Sequence, residues 1–246
     1  MIGERPADFL PSLPEDWARA LCVVAHPDDL EYGASSAVAR WTSQGKQVTY
    51  LLATRGEAGI DALAPHQAGP RREAEERAGA AEVGVEIVEF LGLADGMIEA
   101  GLPLRREIAR AIRRHKPEVV VGTNFRLSWG GPSFNMADHR LVGEAMLDAC
   151  RDAGNRWIFP ELVEGGFDPW PGVRLACFLG SPQPTHGVDV TGFVEQGVAS
   201  LRAHAAYLAG LGDPDFDPAV FLEGHAAQAG ARLGVTHAAL FEVFEL

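Results

Sequence analysis

The sequence has few cysteines and no long apolar run, and so lacks the features of disulfide-bonded and membrane proteins. Only three of its 246 residues are cysteine, and Cys22, Cys150 and Cys177 lie far apart in apolar surroundings. This odd, scattered set predicts reduced core thiols in a reducing compartment rather than a disulfide framework. No apolar run approaches the roughly 18 residues of a membrane-spanning helix, and the N-terminus lacks the basic and apolar regions of a signal peptide. We therefore expect a cytoplasmic protein.

Positive charge is also scarce. The chain has 21 Lys and Arg residues against 34 Asp and Glu residues, which gives a formal net charge of −13. That charge opposes attraction to a phosphate backbone or an anionic membrane, so we expect a small-molecule partner and neither nucleic acid nor membrane. No G-x-G-x-x-G follows the first predicted strand and "GGPS" (130–133) is not a P-loop, so nothing favours a dinucleotide cofactor. The composition leaves a homo-oligomer open.

What the sequence does contain is an alternation of apolar runs and helix-like stretches. Strands are predicted at 20–25, 47–53, 86–92, 118–123, 173–180 and 238–246. Helices are predicted at about 31–44, 70–84, 103–115, 137–153 and 192–211. This order predicts an α/β fold, a Rossmann-like three-layer sandwich with a mostly parallel central sheet.

The chain has no evident internal boundary. We expect residues 1–246 to form a single domain, with 1–18 as an irregular N-terminal arm because that segment has three prolines and no sustained periodicity. Open parallel sheets bind ligands at the carboxyl ends of their strands. Two polar segments follow such ends, His26 to Asp29 after the first strand and 123–140 after the fourth. We expect them to face each other.

The chemistry of these two segments suggests a metal site. His26 and Asp29 are suitable ligands that one turn can deliver together, and Asp28 between them is free to accept a proton from water. A third ligand must come from elsewhere, and His139 is the best candidate, with Asp138 beside it to orient it. The residues alone leave simpler interpretations open, since a lone His in a turn is commonly a surface residue and two aspartates before a helix commonly cap it.

A resemblance to a known family narrows these alternatives. "AHPDDLEYG" (25–33) resembles the A-H-P-D-D-E signature of the PIG-L / LmbE-like deacetylase family, and "MADHRLVGEAMLDA" (136–149) is similar to its second motif, H-P-D-H followed by a helix. Between them, "TRGEAG" (54–59), "RREAEERAGAAEVGV" (71–85) and "LGLADG" (91–96) resemble its T-x-G-E-x-G, R-x-x-E and L-x-x-x-D-G patterns. The resemblance covers about residues 20–150 in register.

The resemblance implies a zinc-dependent hydrolase that removes an N-acyl group, usually acetyl, from an amino sugar or glycoconjugate. It implies one Zn²⁺ per chain, with another divalent metal as the alternative, held by His26, Asp29 and His139. Asp28 is then the general base. Arg72 and Asp95 match the arginine and aspartate of the intervening motifs, and the resemblance implies that both can contact the sugar part of a substrate. Two simpler interpretations stay open, a surface ion pair of Arg72 with its neighbour Glu75 and a turn-forming role for Asp95.

One departure from the family pattern concerns the oxyanion. Met136 stands where the family commonly has the first His of H-P-D-H, and a thioether cannot donate a hydrogen bond. The residues that we consider as replacement donors are Asn135, Asn124, Arg126 and His204. "HAAYL" (204–208) keeps only the histidine of the family's H-x-S-Q. Two alternatives to a sugar deacetylase therefore stay open, an amidase for a non-sugar or thiol-conjugate amide and a non-catalytic relative that binds metal or sugar.

The long loop at 123–136 carries two aromatic side chains. Trp129 and Phe134 suit a platform for a sugar ring or an acyl chain, and equally suit anchoring of the loop to the body of the protein.

Overall fold

The computed structural model of the protein describes residues 9–246. Its strands are β1 (Arg19–Val24), β2 (Gln47–Thr54), β3 (Ile87–Leu93), β4 (Val119–Thr123), β5 (Ser128–Gly130), β6 (Ser133–Phe134), β7 (Leu175–Leu179), β8 (His186–Asp189) and β9 (Ala238–Glu245). Its helices are α1 (Ser35–Ser43), α2 (Pro65–Glu82), α3 (Leu102–His115), α4 (Ala137–Gly154), α5 (Pro160–Glu164), α6 (Val194–Arg202), α7 (Ala205–Gly210) and α8 (Pro218–Leu233).

Seven strands form one central sheet in the order β3-β2-β1-β4-β7-β9-β8. The pairings from β3 to β7 are parallel, and β9 is antiparallel to both of its neighbours. From β1 the chain adds β2 and β3 on one side of the sheet, and it then returns to add β4 on the other side of β1. A crevice that can bind a ligand forms at such a reversal, at the carboxyl ends of the two strands.

Helices cover both faces of the sheet. Because successive strand residues point to opposite faces, Cys22 and Val24 of β1 pack in one core with residues of α1 and α2, while Leu21 and Val23 pack in the other with residues of α3 and α4. The central strands β4 and β7 are buried along their whole length, as strands covered on both faces must be. The predicted three-layer α/β sandwich with a mostly parallel sheet is confirmed.

Several element boundaries differ from the predictions. Helix α1 begins at Ser35 and not near residue 31, because 27–34 form consecutive turns after β1. The predicted single helix at 192–211 is wrong, since α6 ends at Arg202 and α7 starts at Ala205. Helix α8 was not predicted, although Asp217 caps its first turn, Pro218 occupies the first helical position and Gly234 ends it in the left-handed conformation.

The remaining sequence predictions concern the cysteines, the N-terminal arm and membrane spans. Cys22, Cys150 and Cys177 are buried and unpaired, as predicted. The predicted arm falls partly outside the described residues, at 1–8; its remainder carries no helix, and Ser12 makes an isolated bridge to Gly187. Between residues 9 and 246, every helix falls short of the length and apolarity that crossing a bilayer requires.

Candidate metal centre and active site

The loop after β1 and the start of α4 bring the predicted ligands together at the reversal point of the sheet. His26 Nδ1 lies 3.2 Å from His139 Nε2, His139 Nε2 lies 2.9 Å from Asp29 Oδ1, and His26 Nδ1 lies 3.7 Å from that same oxygen. Three donor atoms thus converge although 113 positions separate the two histidines. The meeting follows from the fold, because β1 and β4 are parallel neighbours and their carboxyl ends share one edge.

Backbone and side-chain bonds fix the orientation of these donors. The second oxygen of Asp29 accepts from the backbone N–H groups of Ala25 (2.9 Å) and His26 (3.0 Å), which leaves Oδ1 to face the histidines. His139 Nδ1 lies 3.0 Å from Asn135 Oδ1, so the amide accepts the ring N–H and presents Nε2 to the cluster. Asn135 is fully buried and in turn donates to two backbone carbonyls.

The other ring nitrogen of His26 faces two carboxylates. His26 Nε2 lies 3.1 Å from Asp95 Oδ1 and 3.4 Å from Asp138 Oδ2, and Asp138 also accepts the backbone N–H of Gly96 at 2.8 Å. The expectation that Asp138 orients His139 is therefore wrong. Successive helix residues point about 100° apart, so Asp138 turns towards His26 while its neighbour faces the cluster.

The electrostatics of the cluster favour positive charge. Burial alone lowers the pKa of His26, but hydrogen bonds to Asp138, Asp29 and Asp95 outweigh burial and raise it to about 12. Burial raises the pKa of Asp29, but the two histidines outweigh burial and hold that pKa well below its usual range. Two imidazole nitrogens and one carboxylate oxygen, buried and aimed at one point, are the donor set of a catalytic zinc site. The residues therefore fit a divalent cation.

Asp28 lies beside this cluster in a different environment. Arg72 Nη2 lies 3.2 Å from Asp28 Oδ1, and the Arg72 guanidinium also donates to the carbonyls of Pro27 and Gly56. Burial raises the pKa of Asp28 to about 6 against the opposing effect of Arg72. The backbone of Asp28 has a φ of 94°, a left-handed conformation that non-glycine residues seldom adopt and that concentrates at functional sites.

The residues around Arg72 leave space for its guanidinium and hold it in place. A Cβ on Gly56, whose φ is 62°, would lie 2.4 Å from Arg72 Nη1, so only glycine leaves room for the guanidinium. Arg72 also packs 4.2 Å from the centre of the Tyr207 ring. Glu75 does not pair with Arg72 but accepts the backbone N–H of Ala206 at 2.6 Å, which holds the first turn of α7. Both residues of R-x-x-E therefore help to place Tyr207.

The cluster opens into a cavity of about 670 Å³. His26, Asp28, Asp29, Arg72, Asp95 and His139 line it together with Tyr32, Trp129, Tyr207 and Phe221. The predicted ligands, base and substrate contacts thus line one space. Four aromatic side chains line the same space.

Comparison with known proteins identifies the family of this chain. The family described as "PIG-L: GlcNAc-PI de-N-acetylase" matches residues 21–150, which is more than half of the chain. The chain belongs to the PIG-L family. The match contains every predicted ligand of the cluster together with Asp28, Arg72 and Asp95, and it ends inside α4.

Relatives and solved structures extend the PIG-L match towards the C-terminus. Diacetylchitobiose deacetylase of Thermococcus kodakarensis is 28% identical over 191 residues, which cover 77% of this chain and 70% of that protein. The 1D-myo-inositol 2-acetamido-2-deoxy-alpha-D-glucopyranoside deacetylase of Thermobispora bispora is 31% identical over 237 residues, covering 76% and 78%. The structure of N,N'-diacetylchitobiose deacetylase from Pyrococcus horikoshii with its inhibitor MPG superposes with a TM-score of 0.83 at 22% identity, covering 94% and 85%, and so shares the fold.

Three of the four replacement donors considered for the PIG-L oxyanion position are engaged elsewhere, and the fourth, His204, lies outside the cavity. Asn135 and Asn124 use their amides within the 124–135 loop, and Arg126 pairs with Glu242. His204 is fully buried among carboxylates behind Asp28. None of the four lines the cavity, whereas Met136 does. Sequence reasoning missed Tyr207, whose only signal was its place in "HAAYL", three residues after the retained histidine.

Proposed function

We propose that the chain is a zinc-dependent N-deacetylase that hydrolyses the acetamide of an amino sugar or glycoconjugate. One observation carries the proposal: His26 Nδ1, Asp29 Oδ1 and His139 Nε2 converge to within 3.7 Å on a cavity that also holds the carboxylate of Asp28. A donor trio beside an unliganded buried carboxylate suits hydrolysis, which needs a Lewis acid and a separate base. The deacetylases named above support an acetylated amino sugar as substrate.

In this proposal Asp28 moves the proton. His26, Asp29 and His139 would hold a divalent cation, which when bound would polarise the acyl carbonyl and make the attacking water more acidic. Asp28 accepts the proton as the water oxygen bonds to the carbonyl carbon, and returns it to the amine nitrogen as the carbon–nitrogen bond breaks. A base whose pKa lies near 6 is ionised at neutral pH and still basic enough to accept that proton. Arg72 holds the carboxylate in place between the two transfers.

We assign the oxyanion donor to Tyr207. Its ring lines the cavity and rests on the Arg72 guanidinium, which pairs with Asp28. Burial and the charge of Asp28 raise the pKa of Tyr207 well above its usual range, so the phenol keeps its proton and remains a donor. Tyr207 thus compensates for the thioether of Met136, which can donate nothing.

Asp95 is assigned a positioning role rather than a sugar contact. Its Oδ2 accepts the backbone N–H of Ala58 at 2.8 Å and its Oδ1 faces His26, so both oxygens already have protein partners. Arg72 is similarly committed to Asp28 and two carbonyls. Trp129 and Phe221 then remain as the surfaces on which a pyranose ring can stack.

Metal analysis combined with acetate release tests the proposal. The wild type should contain a stoichiometric divalent ion and should release acetate from N-acetylated chito-oligosaccharides or from an N-acetylglucosaminyl inositol. Asp28→Asn should bind the ion and lose activity, while His139→Gln should lose both. Arg71→Gln, an exposed position on the same helix as Arg72, is the control and should behave as the wild type.

Three other outcomes point elsewhere. Turnover of simple amides or thiol conjugates without turnover of sugars would indicate an amidase of another specificity. Stoichiometric metal without hydrolysis of any amide would indicate a binding protein. Full activity of Asp28→Asn would refute the assignment of the base alone.

A further inference from the structure

A second group of ionisable side chains lies behind Asp28, away from the cavity. Glu31 comes from the loop at 25–34 between β1 and α1, here called the ligand loop, Glu76 comes from the middle of α2, and His204 comes from the break between α6 and α7. Glu31 and Glu76 are each 1% exposed and His204 is 0% exposed. The proposed deacetylation uses none of the three.

The spacing within this group is unusual for hydrogen bonding. His204 Nε2 lies 3.9 Å from Glu31 Oε2 and 3.8 Å from Glu76 Oε2. Direct hydrogen bonds need about 2.7–3.2 Å. Two donors about 2.1 Å from one ion lie about 3.5 Å apart at the tetrahedral angle and at most about 4.2 Å apart. The observed separations fall in the interval that a shared ion produces.

Several polar atoms of the group are also unsatisfied. Within residues 9–246, both ring nitrogens of His204, Oε2 of Glu31 and Oε1 of Glu76 have no hydrogen-bond partner. The partners that do exist are neutral: Ser200 Oγ donates to Glu31 Oε1 at 3.0 Å, and the backbone N–H of Asp28 donates to Glu76 Oε2 at 3.2 Å. Buried carboxylates are costly unless they are paired or coordinate a metal.

The packing of α2 against α6 preserves this arrangement. A Cβ on Gly79 would lie 3.1 Å from His204 Nε2 and 2.9 Å from the carbonyl of Ser200. The absence of a side chain at Gly79 therefore lets the histidine approach the two carboxylates, one helical turn after Glu76.

We propose that Glu31, Glu76 and His204 hold a second divalent cation, Zn²⁺ or Mn²⁺, separate from the ion at His26, Asp29 and His139. Two carboxylate oxygens and one imidazole nitrogen, with the Ser200 hydroxyl beside them, form a donor set that suits these ions. The ion neutralises the buried carboxylates and ties the ligand loop to α2 and to the α6–α7 break. Through Glu76 it also fixes the strained backbone of Asp28.

Anomalous diffraction on the wild type tests this site without any variant. Crystals grown with MnCl₂ as the only divalent salt should show two peaks per chain, one among His26, Asp29 and His139 and one among Glu31, Glu76 and His204. A peak at the first position only would overturn the second site and leave the deacetylase proposal standing. A peak at the second position only would support the second site and would overturn the metal site on which the deacetylase proposal rests.

Metal stoichiometry provides a second, solution test. After dialysis against Mn²⁺, the wild type should retain two ions per chain, and Glu76→Gln and Asp29→Asn should each retain one. Glu73→Gln, which alters a more exposed carboxylate on the same helix, is the matched control and should retain two. Because the second group is fully buried, a chelator should remove its ion much more slowly than the ion that faces the cavity. Saturation of the wild type at one ion, or two ions in Glu76→Gln, would refute the site.

Discussion

Replacing Arg72 with glutamine should move the acidic limb of the kcat/KM profile to higher pH. The acidic limb reports the ionisation of the general base in the free enzyme. We assign this base to Asp28. Arg72 lowers the pKa of Asp28 because its guanidinium favours the ionised carboxylate. Removing that charge therefore raises the pKa, and the base is protonated over a wider range of acidic pH. A cation at the neighbouring ligands lowers the pKa in both proteins, so the difference between them is the quantity to measure.

The magnitude follows from the geometry of the pair. Arg72 Nη2 and Asp28 Oδ1 are 3.2 Å apart and both side chains are buried. Coulomb's law at an effective dielectric constant of about 20 gives about 5 kcal/mol at this distance, and an arginine so placed typically lowers a carboxyl pKa by about 1 to 3 pH units. The desolvation of Asp28 is common to both proteins and cancels in the difference, so we expect the limb to move up by about 1 to 3 pH units.

The assay is acetate release from pH 4 to pH 9 under subsaturating substrate, with folding checked by circular dichroism. Arg71→Gln is the control and should leave the profile in place. If Arg72→Gln fails to fold because Asp28 is left unpaired, Arg72→Lys keeps the charge and should shift the limb by less. A folded Arg72→Gln with an unmoved limb and a much higher KM would show that Arg72 binds the substrate, and would refute the coupling to Asp28.

Three further predictions concern the oxyanion and a distant ion pair. Tyr207→Phe should lower kcat by about 10²–10³ with little change in KM, because the lost hydroxyl acts mainly in the transition state; an unchanged kcat would remove Tyr207 from that role. Met136→His should restore activity to Tyr207→Phe more than it raises the wild type, measured as a double-mutant cycle in kcat; equal effects would contradict a shared function. Glu242→Gln should lower the free energy of unfolding at pH 7 by about 1–3 kcal/mol, as measured by urea titration. Burial raises the pKa of Glu242, but Arg126 and Ser181 outweigh burial and lower it, so the stabilisation should disappear as pH falls below about 4, and a difference independent of pH would refute the ionic contribution.

The ligand cluster was predictable because its parts are local or tied to regular elements. The His26 to Asp29 spacing fits one turn after an apolar strand, and the strand–helix alternation places the ends of β1 and β4 on the same edge of the sheet. His139 was the best candidate for the third ligand because it follows the loop that leaves the fourth strand, and the family resemblance then favoured a metal site over the simpler interpretations. The structure then brings His139 Nε2 within 2.9 Å of Asp29.

The contacts that were not predicted depend on tertiary packing. The direction of the Asp138 side chain depends on how α4 packs against the 94–96 turn, where the backbone N–H of Gly96 donates to its carboxylate. The helix breaks at Ala203 and His204, although "LRAHAAYL" (201–208) contains no Gly or Pro that would predict a break. That break places His204 behind Asp28, and it places Tyr207 in the cavity. The prediction of one continuous helix over 192–211 could therefore locate neither residue.

The ligand loop links the two side-chain clusters through a single strained residue. Asp29 faces the first cluster, Glu31 faces the second, and Asp28 between them has the φ of 94°. A non-glycine residue in this conformation costs about 1–3 kcal/mol and persists only where its surroundings fix it. Here they do so from two sides, since Arg72 holds the Asp28 side chain and Glu76 accepts its backbone N–H. The strain allows consecutive carboxylates to serve different tasks, because an ordinary helical turn would direct Asp28 away from the cavity that Asp29 lines.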